Sequence, residues 1–201
     1  MKGFELRLIQ EDKIMCRNLK YLVFSVVCSL FLMSTVIFAQ SKSIVFPEVE
    51  GWEKGDVATY PTAELGYSVP YQSETGGIVT VYVYNGGLSR IADGIDDQNV
   101  KNEIKKAEND IKAYGEAGYY QNVKLIKSES VTLGGISGTT KSLYSLFSFK
   151  VRGAEVDSEI YIFGYQNNFI KIRATRAKGK NGAENSEVNK LLTEIGKTFS
   201  K

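Results

Sequence analysis

Three aspartates crowd one glycine-rich stretch. Asp93, Asp96 and Asp97 lie within residues 85–97 (NGGLSRIADGIDD), beside Gly86, Gly87 and Gly94. Hard cations take several carboxylate oxygens, so one reading is a calcium loop. The spacing departs from an EF-hand, and no Glu stands at the twelfth loop position. The competing reading is a turn and a helix cap, with Asp96 or Asp97 accepting backbone N–H groups at the positive end of a helix. Phosphate suits the stretch poorly. No Gly-Lys-Ser/Thr follows the glycines, and two aspartates at a helix start repel an anion.

Two further patterns bear on chemistry. Asp157 and Glu159 stand two apart in an extended segment, so they share a face about 7 Å apart. Paired carboxylates serve glycoside hydrolysis where they flank a cleft. On an open strand end they pair with Lys or Arg opposite. The second pattern is aromatic. All of the 12 tyrosines except Tyr21 follow residue 39. Tyr82, Tyr84, Tyr161, Phe163, Tyr165 and Phe169 alternate along segments expected to be neighbours. Such a face either binds a partner, peptide or sugar, or lies as core beneath a helix. Lys171 and Arg173 share a face with Phe169 and Thr175, so that face is partly wet. The lone Trp52 reads as an anchor for the segment around it. The residues assigned to binding are Tyr84, Asp93, Asp96, Tyr165 and Arg173. No catalytic or metal-ligating residue and no cofactor is assigned.

Beyond residue 33 the chain has no His, Cys or Met: both cysteines (Cys16, Cys28) and all three methionines come earlier. That stretch cannot build a Cys–His or Ser–His pair, a haem site or a typical structural zinc site. The formal net charge is +2, and from Gln40 onward basic and acidic residues balance. No basic stripe points to nucleic acid.

The apolar run Tyr21 to Phe38 carries no charge. Arg17 and Lys20 precede it, and Ala39, Gln40 and Ser41 follow. These are the parts of a secretory signal peptide cut after Ala39. Glu5, Glu11 and Asp12 suit a basic leader poorly, which points to Met15 as the true start. The alternative is an uncleaved anchor over residues 21–38, since the run is long enough to span a bilayer. The expected location is periplasmic or secreted, or membrane-anchored on the alternative. A cysteine-free mature chain suits an oxidising compartment by avoidance. Its roughly 160 residues suffice for one core-bearing domain.

The elements that must position these residues follow from periodicity. Residues 40–62 form an extended lead segment, and residues 63–201 a single domain. Leu65 to Tyr71 reads as a short strand, with Pro70 marking an edge. Ile78 to Tyr84 is the clearest strand, apolar on both faces and so expected to be central and covered on both sides. Val100, Ile104, Ala107, Ile111 and Tyr114 make one apolar helical stripe. Glu108 and Lys112 form an i,i+4 pair, and Gly115 or Gly118 ends the helix. Four strands follow over Val123–Leu133, Thr139–Val151, Glu155–Tyr165 and Phe169–Arg176, joined by tight turns and therefore antiparallel. A closing helix buries Val188, Leu191, Leu192, Ile195 and Phe199, with Asn185 or Ser186 as cap. The expected fold is α+β: one antiparallel sheet of about 5–7 strands with a C-terminal four-strand meander and two amphipathic helices. The helices cover opposite faces or share one.

This order resembles the PsbP-like and DcrB-like α/β/α sandwich group. The resemblance rests on the Tyr82-Val-Tyr strand with Asn85-Gly-Gly, on the hairpin running from Ile160 to Thr175, and on the closing helix. It covers most of the chain after residue 40. It implies a non-catalytic accessory or assembly factor, with another envelope protein as partner. It carries no catalytic motif onto residues here. The alternatives are an extracytoplasmic small-ligand or calcium binder, or a carboxylate-dependent hydrolase.

Overall fold

The computed structural model describes residues 44–74, 76–134, 139–178 and 182–200, with side chains from 186 onward in the closing helix. The expected signal segment, its expected cleavage point and Met15 lie outside the described residues. The sheet is built from β1 (Trp52–Lys54), β2 (Ala58–Thr59), β3 (Tyr67–Ser73), β4 (Ile78–Tyr84), β5 (Gln121–Thr132), β6 (Lys141–Val151), β7 (Ala154–Tyr165) and β8 (Asn168–Ala177). Helix α1 is Gln98–Glu116 and helix α2 is Gly182–Phe199. The strand order is β1-β3-β4-β8-β7-β6-β5, with β2 also on β3, and every pairing is antiparallel. The fold is therefore α+β around a single antiparallel sheet. Its 8 strands exceed the expected 5–7, because the lead segment supplies β1 and β2.

Those two strands pair with β3 on either side of Pro70. β1 matches Tyr71–Ser73 and β2 matches Tyr67–Ser68. Between them only the Gly55 N–H donates to the Pro70 carbonyl, at 2.9 Å. A proline has no N–H to offer on that side, so the outer ladder breaks there.

The meander β5 to β8 forms as expected. Two of its turns are two-residue hairpins. Arg152 and Gly153 both take positive φ, as do Gln166 and Asn167, which matches the twist of the flanking strands. Strand β5 is a long outer edge. It carries two register shifts, between Gln121 and Lys124 and between Leu125 and Lys127, and most of it is exposed.

The helices cover opposite faces. Toward α2 point Val79, Val81, Val83, Ile170, Ile172 and Phe163, packed with Leu191, Leu192, Ile195 and Phe199. The lead segment closes the same face with Phe46, Val49 and Trp52, so Trp52 is an anchor in the core. The Tyr71 hydroxyl donates to the Pro47 carbonyl at 2.9 Å. Toward α1 point Phe147, Phe149, Ile160, Ile162 and Phe169, packed with Val100, Ile104, Ala107 and Ile111. Fully burying one such side chain contributes about 1.5–3 kcal/mol.

Several local expectations change. Tyr114 is 51% exposed and leaves the α1 stripe, because the chain turns back at Gly118, where φ is +80. Glu108 does not pair with Lys112. It turns toward the sheet and accepts from Ser145 Oγ at 2.5 Å and Ser128 Oγ at 2.9 Å. Helix α2 starts at Gly182, so Asn185 and Ser186 lie inside it rather than capping it. Strand β4 is central, but on the α1 side its cover is partial, since α1 lies over β5, β6 and β7.

Candidate functional site

The aspartate loop is a structural clamp. Asp97 caps α1: one carboxylate oxygen accepts the Asn99 N–H at 2.7 Å and the other the Ala92 N–H at 2.6 Å. These backbone bonds hold its carboxyl below the usual carboxylate range. Asp93 accepts the Gln166 N–H at 2.8 Å, and Asn167 Oδ1 accepts the Ile91 N–H at 2.8 Å. Gly94 and Gly164 exchange two backbone bonds at 2.9 and 2.8 Å. The loop thus ties the β7–β8 turn, where Gln166 holds φ +47 without being glycine. A Cβ at Gly164 would lie 2.0 Å from the Ala92 carbonyl oxygen, so the glycine permits the approach. Asp96 is exposed and stands apart from these bonds. Among the described residues no group of three or more His, Cys, Asp or Glu is placed to hold a metal ion.

The other carboxylate pair is also engaged. Glu159 is 8% exposed and binds Arg176 through two bonds of 2.9 Å. The Tyr144 and Tyr161 hydroxyls each donate to it at 3.3 Å. Burial, with the Glu159 charge adding to it, pushes both tyrosines far above their ordinary pKa. The expected wet strand end is therefore a buried ion pair. Both Glu159 oxygens are committed, which leaves little of a hydrolase's acid pair.

The aromatic set does not share a face. Tyr161, Phe163 and Tyr165 point toward α2, where the Tyr165 ring meets Phe199 at 5.1 Å. Tyr82, Tyr84 and Phe169 point the other way. Of the five residues assigned to binding, Tyr84 and Arg173 fall on the α1 side. Asp93 and Tyr165 border a separate cleft at one end of the sheet, beside Phe163 and Phe199.

The α1 side holds the densest unassigned chemistry. Where α1 ends, the rings of Tyr114, Tyr119 and Tyr120 gather: Tyr114 lies 5.6 Å from Tyr119 and 5.4 Å from Tyr120, and Tyr120 stacks on Phe149 at 4.2 Å. On the neighbouring sheet surface, Lys171 Nζ sits 5.1 Å from the Tyr82 ring centroid and 5.2 Å from that of Tyr84. This is cation–π range. Arg173 Nε donates to Ser158 Oγ at 3.1 Å, and its Nη2 donates to the Tyr120 hydroxyl at 3.3 Å. Tyr84 donates to Glu103 of α1 at 2.6 Å, and Tyr60 shares a 3.0 Å bond with Ser68. Burial pulls the Lys171 ammonium below its usual range, against the opposing pull of Glu103 and Asp110. Neither Lys171 nor Arg173 forms an ion pair among the described residues.

Sequence reasoning placed Lys171 and Arg173 on a wet face but missed Tyr114, Tyr119 and Tyr120. The spacing of Tyr114 from Ile111 imitates a core stripe. The available signal was the Tyr119-Tyr120 doublet just after the helix-ending Gly118. Neither a scan against protein-family models nor a search of curated proteins finds a match to this chain.

Proposed function

We propose that this chain is an exported, non-catalytic interaction module, and that it binds a partner protein of the envelope through the tyrosine-rich α1 side of its sheet. The observation that carries this reading is the grouping of Tyr60, Tyr82, Tyr84, Tyr114, Tyr119 and Tyr120 about Lys171 and Arg173. Tyrosine and arginine are enriched in binding hot spots, and tyrosine in particular offers large, stiff, amphipathic contact area at small entropic cost. Tyr114 and Tyr119 are 51% and 69% exposed, a poor use of large aromatics unless something covers them. The leader-like run before Gln40 and the absence of His and Cys after it favour an exported binding role over nucleophilic or general-base catalysis.

The test is cross-linked affinity purification from native cells, comparing the natural chain with Tyr114→Ser and Tyr119→Ser. Both side chains are exposed enough that stability should stay within about 0.5 kcal/mol. A stoichiometric partner that is lost in the variants supports the module. Equal recovery with variants and natural chain sinks it. N-terminal sequencing of the native protein tests export: a start at Gln40 or Ser41 supports cleavage, and an intact apolar run means an anchor.

A further inference from the structure

We infer that the cleft between α1 and β8 is an anchoring subsite for a carboxylate group of a partner polypeptide, held by Lys171, Arg173 and Tyr120. The inference rests on the interaction-module reading and specifies what that surface recognises. The cleft measures about 170 Å³ and is walled by Asp110, Ile111 and Tyr120, with Ile160, Lys171 and Arg173 on the sheet side. That is well below the roughly 300–1,000 Å³ of pockets for drug-sized ligands. It suits one functional group with its stem.

The charge arrangement selects the group. Two cations stand two residues apart on one face of β8, both half-buried, and neither forms an ion pair among the described residues, although Glu103 and Asp110 attract the lysine from α1. An ammonium taken partly out of water and left against ring faces gains strongly from an anion. Arg173 is already aimed. Its bonds to Ser158 and Tyr120 fix the guanidinium plane and leave the rest of its donor fork for a planar, bidentate acceptor. The Tyr120 hydroxyl accepts from Arg173, so its own proton remains to donate. Tyr120 is held in place by stacking on Phe149 and Tyr114. The apolar walls of Ile111 and Ile160 take the methylene stem of the incoming residue.

Asp110 on α1 sets the polarity. It repels an acid placed against the helix, so the carboxylate sits on the β8 side. Glu103 keeps its charge while it accepts from Tyr84, and it attracts the lysine without forming an ion pair with it.

The test uses the isotope-labelled full chain titrated by NMR with three probes: N-acetyl-Gly-Glu-Gly-amide, N-acetyl-Gly-Gly-Gly with a free carboxylate, and N-acetyl-Gly-Gln-Gly-amide. The expected result is a saturable shift of the Arg173 Nε–H and Tyr120 ring signals with one or both acidic probes and none with the Gln probe. Response to the first alone names an acidic side chain, and to the second alone a chain terminus. Lys171→Met and Arg173→Gln should abolish the response while other amide signals hold. If either variant unfolds, the Glu against Gln comparison on the natural chain still decides. No saturable acid-dependent shift, or an equal shift with the Gln probe, overturns the subsite. Partner capture separates the two levels. Loss of capture in Tyr119→Ser with unchanged capture in Lys171→Met overturns the anchor and leaves the module standing. Unchanged capture in both overturns the module.

Discussion

Removing Glu159 should be the most damaging single polar substitution on the α2 face of the sheet. Its side chain is 11% exposed and that of its partner Arg176 is 16% exposed. Two charge-assisted bonds of 2.9 Å and two tyrosine bonds of 3.3 Å converge on one carboxylate. Glu159→Ala leaves a half-buried guanidinium and two hydroxyls without the carboxylate on which they converge. Breaking a buried pair from one side costs about 3–5 kcal/mol. For a domain of this size that corresponds to roughly 10 °C or more in melting temperature. The attraction within the intact pair is largely cancelled by the cost of desolvating it. The double variant Glu159→Leu/Arg176→Met should therefore return to within about 1–2 kcal/mol of the natural chain. The assay is urea unfolding of Glu159→Leu, Arg176→Met and their double variant at constant m-value, closed as a double-mutant cycle, with Glu159→Ala measured beside them. If Glu159→Ala costs under about 1 kcal/mol, water reaches the pair and the burial argument fails. If the double variant is as poor as the sum of the singles, the two groups are not coupled and the reasoning fails again.

Two other outcomes follow from titration. Burial first, then neighbouring carboxylates, raises the pKa of Tyr71, Tyr84, Tyr144 and Tyr161 far above the ordinary value. A group whose folded pKa is raised stabilises the fold below its unfolded pKa and loses that contribution as pH climbs. Absorbance titration should therefore show these four protonated past about pH 11, ionising only as the fold is lost, and stability should fall from about pH 10 upward; reversible ionisation of all tyrosines near pH 10 in the folded protein would contradict this. Asp97 has the opposite sign, because its backbone bonds lower its pKa. Asp97→Ala should reduce the urea midpoint at neutral pH, and the gap should close as pH falls below about 4; a gap that persists in acid would mean the cap acts through packing rather than charge.

How much of this was legible depends on whether a feature is local. β4 announced itself through Val79, Val81 and Val83, and both helices through stripes that the core then buried. The meander followed from turn residues at Arg152-Gly153 and Gln166-Asn167. The strands β1 and β2 have three and two residues, too few for any period, and exist only because β3 offers its edge. The Glu159–Arg176 pair needs cross-strand register. Asp157 stands directly opposite Arg176, yet it is the inward-facing Glu159 two residues on that takes the guanidinium. The tyrosine site needs four remote segments to meet: Tyr60 ahead of β3, the end of α1, β4 and β8. No window of sequence contains them. Asp97 was legible as a cap because capping is local. The role of Asp93 was not, because the turn it holds lies more than seventy residues away.

The two borders of the sheet restrict how the protein can associate. On one side the ladder is interrupted at Pro70 and finished by two stubs. On the other, β5 slips register twice and presents Lys124 and Lys127. A ribbon with such borders is a poor template for another strand, because neither side offers an unbroken row of donors and acceptors. The export proposed for this chain, with unfolded passage through a membrane, would benefit from such borders. The newly formed sheet does not recruit its neighbours, and its contacts are left to side chains on the faces.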